Sequence, residues 1–228
     1  SYDKLDRLEE TLDPAGRKES YTYDSVGNLT KKTVNDTRVT SYAYDANGNL
    51  TSLTNALGQT ETKKYDNMNR LVQETDATGA KTTYQYDGKG QLLSSTDGNG
   101  NTTAVAYDGN GNVISVTDGE GRQVRYAYDL ADRLTEAMAG DASYENRNTY
   151  TYDEVGNLTS TTDGNGNKMT YTYDLLSNQT SRTNALGETE SYSYNLNNRL
   201  EKITRPNGNT IQYDYNKLDA LLQTDYSE

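Results

Sequence analysis

The chain of 228 residues has no cysteine, histidine, phenylalanine or tryptophan, and only 2 prolines. Without Cys and His there can be no Cys₂His₂ or Cys₄ zinc site, no His- or Cys-ligated haem and no iron–sulfur cluster. A Ser-His-Asp triad, a cysteine nucleophile and a histidine general base are equally absent. No disulfide can form, so the redox compartment is not legible from cysteine usage. No apolar run approaches the ~20 residues that cross a bilayer as a helix. Positive charge is scarce, with 22 Lys and Arg against 34 Asp and Glu and a net charge of −12. That balance argues against a nucleic-acid backbone or an anionic membrane surface as partner. Hydrophobic residues make up 32% of the chain and mean hydropathy is −1.02, which by themselves point to disorder. The scarcity of proline and the presence of 21 tyrosines oppose that. A polar chain rich in Tyr, Thr, Asn, Asp and Gly has the composition of β-hairpins.

Tyrosine is placed periodically. Tyr-Asp stands at Tyr2-Asp3, Tyr23-Asp24, Tyr44-Asp45, Tyr65-Asp66, Tyr86-Asp87, Tyr107-Asp108 and Tyr128-Asp129, every 21 residues. It returns after 24 at Tyr152-Asp153 and after 21 at Tyr173-Asp174, and Tyr194-Asn195 and Tyr215-Asn216 continue the step. Eleven repeats therefore begin in one array spanning 1–228, with a three-residue insertion near 139–146. Counting each repeat from its Tyr as position 0, Gly recurs at +4 as Gly27, Gly48, Gly90, Gly111 and Gly156. Leu recurs at +6 as Leu8, Leu29, Leu50, Leu71, Leu92, Leu134, Leu158, Leu200 and Leu221. Thr dominates +10, and a second Asp/Asn-x-x-Gly follows at +11 to +14, as in Asn55-Ala56-Leu57-Gly58 and Asp97-Gly98-Asn99-Gly100. A further Tyr often stands at −2, as Tyr21, Tyr42, Tyr84, Tyr126, Tyr150, Tyr171, Tyr192 and Tyr213.

These positions carry turn chemistry. Asp or Asn in first place accepts from backbone N–H groups further on, and Gly in fourth place takes φ > 0 at little cost. Asp-x-x-Gly thus reads as a type I turn closed by a left-handed Gly. Between turns lie strand-length stretches of ~6 residues rich in Thr, Tyr, Val and Leu, and no sustained 3.6-residue period suggests a helix. The expected fold is all-β: an antiparallel hairpin meander of roughly 22 strands, ~100 Å long, curved so as to protect its Tyr–Leu face. With a three-residue first loop, Tyr at 0 sits opposite Leu at +6. An odd period adds a constraint, because steps along one face of a strand are even. Either the two turns differ in hairpin type, or a mid-strand bulge absorbs the difference.

The pattern Tyr-Asp-x-x-Gly-x-Leu followed by Thr-Asp-x-x-Gly resembles the YD repeat, also called the Rhs repeat, and the resemblance covers essentially the whole chain. Proteins with this repeat include bacterial Rhs and wall-associated polymorphic toxins, the cocoon-forming subunits of insecticidal Tc toxin complexes, and teneurins. The resemblance implies a ribbon that spirals into a hollow shell, which in the bacterial members encloses a C-terminal toxin or hypervariable region. It implies a secreted or cell-surface bacterial protein, with a toxin or cargo domain elsewhere in the same protein as partner. The family's shells end in a core containing Asp-Pro-x-Gly-Leu. Asp13-Pro14-Ala15-Gly16-Arg17 is only a variant turn, so the sequence reads as an excerpt of a longer protein.

Other chemistries compete poorly with turn chemistry. Asp97-Gly98-Asn99-Gly100-Asn101 and Asp163-Gly164-Asn165-Gly166-Asn167 look like the start of a calcium loop, but Thr102 and Lys168 occupy the sixth position where an EF-hand has Gly. Carboxylate pairs such as Glu9-Glu10 are spread through a charge-rich repeat, and none stands out as a glycosidase pair. No cofactor, metal site or catalytic residue is expected. Rows of Tyr offer stacking faces for sugars, which makes a surface adhesin or filament that binds glycans the alternative function. The plainer reading has Tyr as the packing residue of the sheet with its hydroxyl reaching water. Two departures stand out: Asn35-Asp36-Thr37 replaces a second turn without Gly, and Gln179 replaces Leu at +6.

Overall fold

The computed structural model describes residues 1–140, 146–218 and 220–227. Among these the fold is all-β, with 21 strands and no helix. They fall into two compact units, Ser1–Ala106 with Thr117–Gly121, and Tyr107–Val116 with Arg122–Glu228. Each unit is an antiparallel meander in which a strand pairs with the strands before and after it in the chain. The longer loop expected near 139–146 falls on 141–145, outside the described residues. Flanking them, Leu134–Ala139 pairs with Asn146–Tyr152 out to Ala139 opposite Asn146.

One repeat shows why the sequence folds this way. Strands Arg38–Tyr44 and Leu50–Thr54 flank the first turn, and Leu50–Thr54 and Thr60–Tyr65 flank the second. In the first turn Gly48 N–H donates to the Asp45 carbonyl at 3.1 Å and Asp45 N–H to the Asn49 carbonyl at 3.0 Å. The Asp45 carboxylate accepts the N–H groups of Asn47 and Asn49, both at 2.9 Å. In the second turn Gly58 N–H donates to the Asn55 carbonyl at 2.9 Å and Asn55 N–H to the Gln59 carbonyl at 2.9 Å. Asn55 Oδ1 accepts from Leu57 and Gln59 at 2.9 and 3.1 Å. Both are three-residue loops closed by a left-handed Gly, Gly48 at φ 85° and Gly58 at φ 78°.

The two turns therefore do not differ in type, and the odd period is absorbed by a bulge. Ala43 pairs with Ser52 while Tyr44 pairs with Leu50, which leaves Thr51 as the extra residue. The same slip recurs before Tyr23, Tyr65, Tyr86, Tyr128, Tyr152, Tyr173, Tyr194 and Tyr215. The bulged residue is often Thr, whose hydroxyl donates to the carbonyl facing it: Thr30 to Thr22 at 3.1 Å, Thr51 to Ala43 at 3.2 Å and Thr135 to Ala127 at 3.1 Å. Each bulge restores an even step, so the tyrosines of successive repeats keep to one face.

The described residues form no conventional core. Among the described residues no hydrophobic side chain is fully buried, and the one buried residue is Ser160. One sheet face carries the half-buried Tyr at 0 and −2. The other carries small hydroxyl residues in contact, Thr151 with Ser160 and Thr172 with Ser181, each pair at 2.7 Å. The second turn at Asn35-Asp36-Thr37, which lacks Gly, is closed by two consecutive left-handed residues, Asn35 at φ 49° and Asp36 at φ 57°, a conformation that Asn and Asp tolerate best among L-residues.

Candidate functional site

The chemistry-bearing side chains gather at the junction between repeats. The register sets Tyr23 opposite Leu29, Tyr44 opposite Leu50, Tyr65 opposite Leu71, Tyr86 opposite Leu92, Tyr128 opposite Leu134 and Tyr152 opposite Leu158. Tyr173 faces Gln179 in the same way. On its other side the short strand pairs only from +8 onward, as Ser52 opposite Thr62, so Leu50 lies beyond the ladder. The hydroxyl of the next repeat's Tyr65 crosses that gap and donates to the Leu50 carbonyl at 3.0 Å. Tyr23, Tyr44, Tyr86, Tyr152, Tyr173 and Tyr215 do the same to Leu8, Leu29, Leu71, Leu134, Leu158 and Leu200, at 2.7–3.0 Å. Tyr128 reaches Val113 and Tyr194 reaches Gln179, each at 3.0 Å.

This corrects the expectation that the tyrosine hydroxyl reaches water. At position 0 it closes a backbone carbonyl that lies beyond the end of the ladder to the following strand, and because the acceptor is main chain, Leu, Val or Gln at +6 serves equally. Burial comes first among the causes that raise the pKa of Tyr44, Tyr128, Tyr173 and Tyr194. At −2 the partner, where there is one, is acidic. Tyr21 donates to Glu19 and Tyr84 to Glu74, each at 2.6 Å, and Tyr192 donates to Glu190. The Tyr21 hydroxyl, and then Lys32, bring Glu19 down to about 2. The bond to Glu74 pushes Tyr84 up to about 12.

The residue at +5 links the turns. Where it is Asn, its amide donates to the turn's own Asp: Asn28 to Asp24, Asn49 to Asp45, Asn112 to Asp108, Asn157 to Asp153 and Asn178 to Asp174. Where it is Arg, it reaches further. Arg70 Nε donates to Asp66 at 2.7 Å, its Nη1 donates to the Asp87 carbonyl of the next repeat at 2.9 Å, and its guanidinium lies 4.9 Å from the Tyr86 ring centre. Arg7 bridges Asp3, Asp24 and Tyr23, and Arg133 bridges Asp129, Asp153 and Tyr152, in the same way. These repeats lack Gly at +4 and hold Asp6, Asn69 and Asp132 left-handed there. Asn69 Oδ1 accepts from Asn47 and Asn49 of the preceding repeat at 2.9 and 2.8 Å, and Asp132 accepts from Asn110 and Asn112 at 2.8 and 2.7 Å. Gly27, Gly48, Gly90, Gly111 and Gly156 hold the same turn position in five other repeats, and Ser177 and Asn198 hold it left-handed in two more.

The reading by single repeats passes over this clamp, although its signal is in the sequence. Arg7, Arg70 and Arg133 are 63 residues apart (70 − 7, 133 − 70), three repeats each time, and Arg199 stands at the same repeat position 66 residues further on. The Asp97 carboxylate accepts the N–H groups of Asn99 and Asn101 and the Asn101 amide, all at 2.9 Å, and that bond to Asn101 lowers its pKa. The calcium-like loop thus spends its first oxygen ligand on its own turn. No group of three or more acidic residues is placed to hold a metal among the described residues.

The fold and its junction define a class: an antiparallel hairpin array whose repeats are joined by a tyrosine hydroxyl and a turn-to-turn clamp. A family profile described as Teneurin YD-shell matches residues 1–139, and one described as RHS Repeat matches residues 152–189. The chain belongs to the YD-shell family. Solved structures share the fold at low identity. The crystal structure of TcdB2-TccC3 without its hypervariable C-terminal region gives a TM-score of 0.63 at 18% identity, covering 96% of this chain and 16% of that one. TcdB2-TccC3-Cdc42 gives 0.60 at 17%, covering 93% and 15%. The Tc holotoxin pore of Photorhabdus luminescens gives 0.59 at 18%, covering 96% and 16%. No curated protein matches the chain. The chain spans about a sixth of the length of these structural neighbours.

Proposed function

We propose that residues 1–228 are one continuous stretch of shell wall, and that the wall encloses a toxin or other cargo polypeptide belonging to the same secreted or cell-surface bacterial protein. The observation that carries the reading is the YD-shell match over residues 1–139. The junction supports it. Position 0 hydroxyls, the carboxylates of many first turns and the Arg clamps are bonded within the wall, which favours a container over a catalyst or a sugar-binding surface. One structural neighbour is described without its hypervariable C-terminal region and another with Cdc42, which fits a wall that accompanies an exchangeable polypeptide. The mechanism is exclusion: a hydrogen-bonded sheet keeps proteases and other partners from a chain held behind it. No helix among the described residues is long and apolar enough to cross a membrane.

The test is protease protection in the full protein that carries this segment. Segments outside the repeats are expected to resist a protease that digests them once the shell is opened by denaturant, while a Tyr44→Ala, Tyr65→Ala, Tyr86→Ala triple variant loses that protection. Equal cleavage of those segments in native and denatured protein would refute the reading.

A further inference from the structure

The stretch Asp-Gly-Asn-Gly-Asn occurs three times, at 97–101, 108–112 and 163–167. Each copy forms the same turn. The leading Asp carbonyl accepts the N–H of the second Gly, Gly100 at 3.0 Å, Gly111 at 3.2 Å and Gly166 at 2.9 Å. The Asp carboxylate accepts the N–H of the central Asn at 2.9, 3.0 and 2.9 Å. Asn99, Asn110 and Asn165 are all exposed. Local sequence, turn type and exposure therefore do not tell the three apart. Their side-chain amides do. Asn110 lies in a first turn, and its amide crosses to Asp132 of the next repeat at 2.8 Å. Asn99 and Asn165 lie in second turns, and their amides have no hydrogen-bond partner among the described residues. Two other Asn residues precede Gly. Asn47 is tied to Asn69 of the next repeat at 2.9 Å. Asn207 sits in a turn led by Arg205, where its own Oδ1 accepts the Asn209 N–H at 3.0 Å.

Asn followed by Gly is open to one reaction in plain water, because Gly has no Cβ to shield its backbone nitrogen. That nitrogen gives up its proton to solvent base and attacks the Asn Cγ. The N–Cγ bond forms, the Cγ–Nδ2 bond breaks, and the amide leaves as ammonia. Water then opens the cyclic imide at either carbonyl, to give aspartate or isoaspartate. The step needs the turn to open so that the Gly nitrogen is released, and it needs the side chain to swing back onto its own main chain. The first requirement is met alike where the turns are alike. The second is opposed wherever the amide is held across to another repeat.

We propose that Asn99 and Asn165 are sites of spontaneous deamidation, and that the left-handed residue at +4 of a clamp repeat shields the Asn-Gly pair of the repeat before it. Asp132 shields Asn110, and Asn69 shields Asn47. Gly111 N–H also donates to Asp108 Oδ1 at 2.8 Å, which holds the attacking nitrogen of the shielded pair more firmly. Each event adds one negative charge to a chain at −12. Isoaspartate adds one main-chain carbon to a three-residue loop and disturbs its closure.

A single tryptic peptide, Gly90–Arg122, carries both Asn99 and Asn110, so their rates can be compared by fragment-ion mass spectrometry of the whole chain aged at mildly alkaline pH. Asn99 is expected to convert about two- to tenfold faster than Asn110, the factor that one net hydrogen bond supplies. In urea, where only the shared sequence remains, the two rates should converge. Asp132→Gly, with the residue that five other repeats hold at this position, is expected to bring Asn110 up towards the rate of Asn99. Asp132→Asn keeps an acceptor like that of Asn69 and should leave Asn110 slow. Circular dichroism melts identify a variant that has lost its fold, and Asn69→Gly read at Asn47 repeats the contrast if Asp132→Gly melts early. Equal native rates at Asn99 and Asn110 would overturn the proposal. So would a difference that persists in urea, or a folded Asp132→Gly chain in which Asn110 stays as slow as in wild type.

Discussion

Tyrosine and phenylalanine differ by one oxygen, and at position 0 that oxygen is part of the fold. The hydroxyl of Tyr65 satisfies a Leu50 carbonyl that lies beyond the end of the ladder with the following strand. Tyr65→Phe is therefore expected to cost about 0.5–1.5 kcal/mol in urea unfolding. Tyr42→Phe, at −2, should stay within about 0.5 kcal/mol. Ionisation gives a second expectation. Glu19 is brought down to about 2, first by Tyr21 and then by Lys32, and Asp45 is lowered first by the Asn49 amide. Carboxylates with depressed folded pKa values contribute stability above their unfolded values near ~4, and that contribution is lost as pH falls towards ~2. Tyr84 is pushed up to about 12 by Glu74; its contribution is complete below ~10 and lost as pH rises from there through 12. Melting temperature against pH should be flat from ~5 to ~9 and fall on both sides. The absence of Phe beside 21 Tyr was visible from the start. Its reason was not, because the accepting carbonyl belongs to another repeat and only the register brings it within reach.

At the scale of the turn and its strands, Asp-x-x-Gly announced the hairpin type, and Tyr at 0 with Leu at +6 announced the pairing. The odd period announced a conflict without choosing its resolution, since two hairpin types and one bulge satisfy the same arithmetic. Leu50-Thr51 shows one way the extra residue is held, with Thr bonding back across the bulge to Ala43; the same bulge forms with Val72, Leu93, Glu201 and Leu222 in that place, so the backbone register rather than one side chain carries it. The Arg clamp escaped because its period is three repeats, and at single-repeat scale Arg at +5 reads as scatter among Asn. Arg70 combines a bidentate-capable donor to Asp66, a bond to the Asp87 carbonyl and stacking on Tyr86. Arg70→Ala is expected to destabilise the chain by about 1–3 kcal/mol, and Arg70→Lys to recover less than half of that, because an ammonium cannot hold all three contacts. Equal stability of the Lys variant and wild type in urea unfolding would show that charge alone matters.

For the chain as a whole, an array with no fully buried apolar side chain among its described residues is held by many equivalent junctions. Stability then accumulates repeat by repeat, as in other one-dimensional arrays. Low mean hydropathy, −1.02, which would mark a compact domain as disordered, is natural for such a wall. Its composition excluded Cys- and His-based chemistry, and its period disclosed the family. The central claim is that these repeats enclose a polypeptide. It is tested most directly by electron cryomicroscopy of the full protein that carries them. The account predicts that residues 1–228 form part of a wall around a cavity containing density for a polypeptide outside the repeats. A ribbon with both faces open to solvent and no enclosed volume would contradict it.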